Sequence, residues 1–186
     1  MRFHRGLLVS TKRNFEAAAV SEISFALVDK LGIDQSSTKP HLLNISGLVS
    51  IRISKTYDLL EIMEQLRELE SDEQFFFHCL KIKPIELVIN AKIEALQEAV
   101  KSLDLDLSQS FRIAVTKRHS KLTSQEVITA TAPLIDAKVN LTHPDWILLI
   151  EILADRAGLT IVKPDHIFST KVAFESDEAQ ENWFLN

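Results

Sequence analysis

"FRIAVTKRHSKLTSQEV", residues 111–127, opens as a strand, passes through a basic turn and closes as a helix start. Its first eleven residues hold Arg112, Lys117, Arg118 and Lys121 and no acid, inside a chain whose 21 basic and 26 acidic residues leave a net charge of −5. Thr123 followed three residues later by Glu126 has the spacing of a capping box, the reciprocal pairing that closes a helix N-terminus. Val127, Ile128, Leu134 and Ile135 then face a sheet, and Pro133 ends or bends the helix near Ala132, because a proline has no amide to donate and clashes with the preceding turn. A strand ending in Lys117 and Arg118, a turn with Ser120 and Lys121, and a helix starting near Ser124 gather side-chain cations beside amides that lack helical partners. A phosphate suits that arrangement. The same residues also fit a second reading, a solvated edge strand whose charges resist aggregation.

Working outward, the chain alternates strands and helices. Downstream, "AKVNL" (137–141), "WILLIEI" (146–152) and "LTIV" (159–162) read as strands separated by the turns "THPD" and "ADRAG". The run from Trp146 to Leu149 is apolar without alternation, as in a central strand covered on both faces. Upstream, residues 7–12 form a strand, and Phe15, Ala18, Ala19, Ile23, Ala26 and Leu27 fall at helical spacing, with Gly32 as the stop. "DQSSTKP" (34–40) is a loop; "HLLNIS" and "LVSIRIS" then form a hairpin around Gly47, and Leu59, Ile62, Met63 and Leu66 line one face of an acidic helix. "FFFHCLKIKPIELVIN", residues 75–90, is strand-like and divided by Pro84, and Asn90 caps a short helix that turns Ile93, Leu96 and Val100 inward. The fold class is therefore α/β (α+β), in two parts that meet between about residues 70 and 84.

Composition narrows the function. Residues 57–73 carry seven acids against one base and residues 175–186 four acids and no base, so two acidic blocks mask a basic body. With Cys79 as the only cysteine there is no intrachain disulfide and no thiolate metal cluster, which fits a reducing cytosol. The apolar run after the basic start is too short for a signal peptide, and "WILLIEILA" is broken by Glu151, so no membrane span is expected. The six histidines lack metal-ligand spacing, so no metal site is expected. Four glycines, none close to another, supply neither a dinucleotide-binding loop nor a P-loop, so no cofactor is expected.

The stretch 111–162 resembles the C-terminal part of the THUMP domain, an RNA-binding module of tRNA-modifying proteins. The signs are the "FRI…KR" strand with its basic end, the "SQEV" helix start, the turn at Val139, Leu141, Pro144 and Asp145, and the apolar strand that follows. Asn140 and the "TATAP" helix end depart from the usual pattern, where an acid and a glycine are common. The element order before it resembles the ferredoxin-like domain that often precedes THUMP. The resemblance implies a ferredoxin-like domain over 1–75, a THUMP domain over 76–172 and an acidic tail over 173–186. It also implies binding to the acceptor end of tRNA, with Arg112, Lys117, Arg118 and Lys121 on phosphates, Ser120 and Ser124 donating to phosphate or 2′-hydroxyl oxygens, and Lys138 and Lys163 in support. Lys171, and Lys12 and Arg13 on the first strand, are second-rank candidates alongside Lys138 and Lys163. Without a catalytic loop, the chain resembles the stand-alone members that present tRNA to a separate RNA cytidine acetyltransferase, a non-enzymatic adaptor of the cytoplasm. The alternative is a protein-interaction or small-ligand regulatory module that binds no RNA. Oligomeric state is left open.

The remaining signals have plainer readings. Cys79 is expected in the core, His119 in solvent, Glu126 in the cap rather than as a general base, and the acidic helix with its outer face in water. The ending "FESDEAQENWFLN" sets Trp183, Phe184 and Leu185 behind an acidic spacer, either folded back on the body or docked on another protein.

Overall fold

A computed structural model of the chain describes residues 3–73 and 75–170; Lys171 and the acidic ending with Trp183, Phe184 and Leu185 lie outside the described residues. In chain order the elements are β1 (Gly6–Ser10), α1 (Glu16–Phe25), β2 (Thr38–Leu42), β3 (Leu48–Ile53), α2 (Leu59–Glu73), β4 (Lys81–Ile85), β5 (Leu87–Asn90), α3 (Ile93–Lys101), β6 (Phe111–Arg118), α4 (Ser124–Thr131), β7 (Trp146–Leu153), β8 (Arg156–Val162) and β9 (Phe168–Ser169). They divide into two compact units, one ending at Pro84 and rejoined by the chain from His166, the other spanning Ile85–Asp165.

The first unit is built on a sheet of order β2-β3-β1-β4-β9. Its first four strands with α1 and α2 make the β-α-β-β-α-β ferredoxin-like arrangement. Antiparallel pairing sets Leu7 against Ile51 and Val9 against Val49, and these residues join Ile23, Leu27, Leu59, Met63 and Leu66 in one core. The helical stripe read from sequence thus buries itself on the sheet, while Glu61, Glu64 and Glu68 are exposed. Glu70 differs: it is 5% exposed and accepts the Phe76 amide at 2.9 Å. Pro40, inside β2, is tolerated because β2 is an edge strand.

The second unit carries a four-stranded sheet of order β5-β8-β7-β6. β6 and β7 run parallel, from Phe111 opposite Trp146 to Arg118 opposite Leu153, and α4 is the crossover between them. All eight residues of β7 are buried. Leu96 and Val100 of α3 and Val127 of α4 pack on Leu148, Ile150, Ile152 and Leu159, and the Phe111 and Trp146 rings stack at 5.1 Å.

Four expectations change. Residues 75–80 are not a strand: Glu22 accepts the amides of Phe77, His78 and Cys79 at 2.8, 3.0 and 2.8 Å, and with Glu70 on Phe76 two carboxylates take the donors a strand would pair. The strand expected at 137–141 shrinks to a single bridge, Val139 to Phe111, because the Asn140 side chain bonds the backbone of Thr142 and His143 and curls the chain away. Asn90 does not cap α3; it ends β5, where its Oδ1 accepts Arg156 Nη1 at 2.8 Å, and Lys92 holds the N-cap position without a side-chain bond. The first strand of the hairpin, β2, begins at Thr38, inside the expected loop. Cys79 is core, as expected, and burial, then the neighbouring Glu22 carboxylate, push its thiol far above the ordinary range, so it is unreactive.

Gly6 lets β1 lie this close to β3: its φ is +145°, and an added Cβ would sit 1.9 Å from the Ile51 carbonyl oxygen. Gly6→Ala is expected to cost about 1–3 kcal/mol, the range of such backbone strain, or more if the strands part. Thermal unfolding of the variant checks this; an unchanged midpoint would mean that the two strands are not held at this spacing.

Candidate nucleic-acid interface

Alternation along β6 sorts the basic segment. Phe111, Ile113 and Val115 belong to the core under the helices, so Arg112, Thr116 and Arg118 project from the other face and Lys117 returns to the helix side. Lys117 is exposed and Arg118 half-buried. The strand is stopped where the Arg118 carbonyl accepts the Ala154 amide at 2.9 Å, and His119 then takes a left-handed conformation, φ 55°, which histidine tolerates better than most residues. The Ser120 hydroxyl oxygen accepts the Leu122 amide at 3.2 Å, which tightens the turn and leaves Lys121 exposed. His119 is exposed, as expected. Among the described residues, Lys117, Arg118 and Lys121 enter no ion pair.

α4 begins at once. Thr123 is its N-cap, and the capping box is complete: Thr123 Oγ1 accepts the Glu126 amide at 3.1 Å while Glu126 Oε2 accepts the Thr123 amide at 2.7 Å. The capping box expected from the spacing is therefore formed. One amide of the first turn is taken by the threonine, and a carboxylate already stands at the positive end of the helix. Hydrogen bonds from the Thr123 amide and hydroxyl, helped by Lys117, hold the Glu126 carboxyl below its ordinary range. The amides of Ser124 and Gln125 precede the first helical acceptor and stay available to a ligand. Beside this turn lies a hollow of about 560 Å³ lined by Ile93, Thr123, Gln125, Glu126, Thr129 and Ala130. Sequence reasoning did not find the hollow, because Ile93 comes from α3, thirty residues before the cap.

The eight predicted site residues do not form one cluster. Lys117, Arg118, Ser120, Lys121 and Ser124 lie together around the end of β6 and the start of α4. Arg112 is six residues back along the strand, about 20 Å away at the rise of an extended chain. Its Nη1 donates to the Leu141 carbonyl at 3.3 Å, and its buried Nε has no partner. Lys138 lies at Arg112's end, since its carbonyl accepts the Phe111 amide at 2.8 Å. Lys163 follows Val162, whose partner Ile147 also pairs with Arg112, so it too belongs there. Asp145 closes that end by accepting the Ser110 hydroxyl at 2.6 Å and amide at 2.8 Å, the bonds that hold its carboxyl below its ordinary range. Among the described residues no group of three or more His, Cys, Asp or Glu is placed to hold a metal ion, and no helix is long and apolar enough to cross a membrane.

Residues 90–162 match the THUMP domain, so the chain carries that domain, and the sheet and helices of the second unit are its fold. Most of the chain resembles several solved structures. PH1313 from Pyrococcus horikoshii Ot3 aligns with a TM-score of 0.61 and 15% identity over 90% of this chain and 56% of its own. TrmN from Thermus thermophilus aligns at 0.60 and 17% over 87% and 47%. A 4-thiouridine synthetase, in complex with RNA and bound ATP, aligns at 0.55 and 13% over 89% and 42%. At these identities the likeness is one of fold, and the chain spans about half the length of these proteins. No curated protein matches the sequence.

The cap separates stability from charge. Thr123→Ala is expected to lose about 0.5–2 kcal/mol, the usual worth of an N-cap side chain. Glu126→Gln keeps an acceptor for the Thr123 amide and removes only the charge. Because the Glu126 carboxyl is depressed in the folded state, its contribution is present above its unperturbed value of 4.5 and is lost as pH falls through the lower folded value. Thermal melts from pH 7 to pH 3 should therefore show E126Q less stable than the parent at neutrality, with the difference closing on acidification.

Proposed function

We propose that this chain is a tRNA-binding adaptor: its THUMP domain holds the acceptor end of tRNA and presents it to a separate RNA cytidine acetyltransferase, in the cytoplasm, for acetylcytidine formation. The observation that carries the RNA-binding part is the set of cations Lys117, Arg118 and Lys121, which enter no ion pair among the described residues, at the end of an edge strand, beside the first turn of α4, inside a THUMP domain. Side-chain charge supplies most of the attraction, as it does where single-stranded RNA ends are held in cationic grooves. Ser120 and Ser124 offer hydroxyl protons at the same place. Glu126 opposes an anion there, so the phosphate is held off the helix axis and toward the lysines. Arg112, Lys138 and Lys163 serve, in this reading, a second phosphate contact further along the backbone of the bound RNA.

The adaptor part has its support in the sequence. The four glycines Gly6, Gly32, Gly47 and Gly158 are scattered, so these 186 residues contain no glycine-rich loop to cradle a nucleotide or coenzyme A. In the same reading the ferredoxin-like part, expected over 1–75 and reaching Pro84 in the fold, precedes the THUMP part, matched over 90–162, which holds the RNA, and residues 173–186 serve as an acidic tail.

Binding of a tRNA transcript, titrated at several salt concentrations, tests the proposal. Each phosphate contact contributes about 0.7–0.9 to the slope of log K against log salt, so replacing Lys117, Arg118 and Lys121 by alanine should flatten it by about 2 to 3. Glu126→Gln should tighten binding. A slope that stays the same in the triple variant would remove these cations from the interface. For the adaptor role, a purified RNA cytidine acetyltransferase should form acetylcytidine on tRNA only when this chain is added, and the chain alone should form none.

A further inference from the structure

Unit one carries an aromatic surface that the THUMP domain does not account for. Phe77 is 66% exposed and Phe15 44% exposed, and the Phe15 ring stacks on His78 at 5.3 Å with only 16° between planes. Single exposed rings are ordinary. These three are instead mounted on a fixed frame. Glu22 accepts the amides of residues 77, 78 and 79, Glu70 accepts that of residue 76, and Phe76 and Cys79 are buried on either side of the two outward residues. On the other side, the turn before α1 is closed by the Phe15 amide on the Lys12 carbonyl at 3.1 Å, with Asn14 at φ 70°. That turn exposes Lys12 and Arg13 beside Phe15. The acids near it are engaged internally, Glu16 by the Gly47 amide at 2.6 Å and Glu22 by the three amides above.

We propose that Phe15, His78 and Phe77 form a stacking platform for an unpaired RNA base, with Lys12 and Arg13 placed for the phosphates on either side of it. The proposal rests on the RNA-binding reading above and extends it to a second surface. A near-parallel ring pair offers a flat π face, every base can stack on such a face, and cations at its edge match the charge of the backbone that carries the base. Because the frame is hydrogen-bonded in the absence of any ligand, little ordering remains to be done on binding.

Glu22 holds main-chain amides, so Phe77→Ala and His78→Ala remove rings without cutting the frame. Affinity for a tRNA transcript is expected to fall about tenfold in the double variant, within the worth of one or two stacked bases, with the salt slope and the melting midpoint unchanged. Phe77→Trp should restore or exceed the parent affinity. With RNA containing 5-bromouridine in its single-stranded end, ultraviolet crosslinking should mark the peptide holding residues 75–80. If the parent chain binds RNA and the double variant binds equally well, the platform is overturned while the THUMP interface stands. Should the parent chain bind no RNA, both readings fail together. A double variant that keeps full RNA affinity and loses capture of another protein would assign the face to that protein and overturn the proposal.

Discussion

The parallel pairing of β6 with β7 positions most of what matters in the second unit. A parallel neighbour cannot be reached by a hairpin, so the chain must leave the end of β6, cross the sheet as α4 and re-enter at Trp146. That route starts the helix directly after the strand's basic end, and the register from Phe111–Trp146 to Arg118–Leu153 decides which side chains share a face. Lys117 comes to the helix side and Arg118 to the other, with Lys121 in the turn between. A shift by one residue would exchange the core phenylalanine for an arginine, so the hydrophobic pattern locks the charge pattern in place.

Charge at this turn is balanced rather than simply positive. Glu126 completes the capping box and gives α4, only eight residues long, a defined beginning. The same carboxylate occupies the favoured position for a bound anion at the helix end. Stability of the turn and affinity for phosphate therefore pull on one residue in opposite directions. In the proposed reading Lys117, Arg118 and Lys121, which enter no ion pair among the described residues, supply the charge that favours an anion.

Carboxylates play a different part in the first unit. Glu22 and Glu70 substitute for a strand partner along residues 76–79, each accepting backbone amides that would otherwise need a ladder. One consequence is the loss of strand character in a segment that is apolar and aromatic. Another is that Phe77 and His78 face outward while Phe76 and Cys79 face the core. The exposed rings follow from hydrogen-bond accounting of the backbone, not from any polarity of the side chains.

The sequence by itself determined the periodic elements: α2 from Leu59, Ile62, Met63 and Leu66, β3 from its alternation, the capping box from Thr123 and Glu126, the buried β7 from its unbroken apolar run, and the THUMP domain from the order of its motifs. These are local patterns, readable because a helix repeats every 3.6 residues and a strand every two. Tertiary structure alone decided the features that depend on partners distant in the chain. Asn90 became a strand end because Arg156 lies across from it, residues 75–80 lost their ladder to Glu22, and the string of cations from Arg112 to Lys121 was divided because an extended strand carries its two ends about 20 Å apart. Closeness in sequence told of a common segment; only the extended geometry of β6 and the pairing of its neighbours determined which charges share one end of the strand.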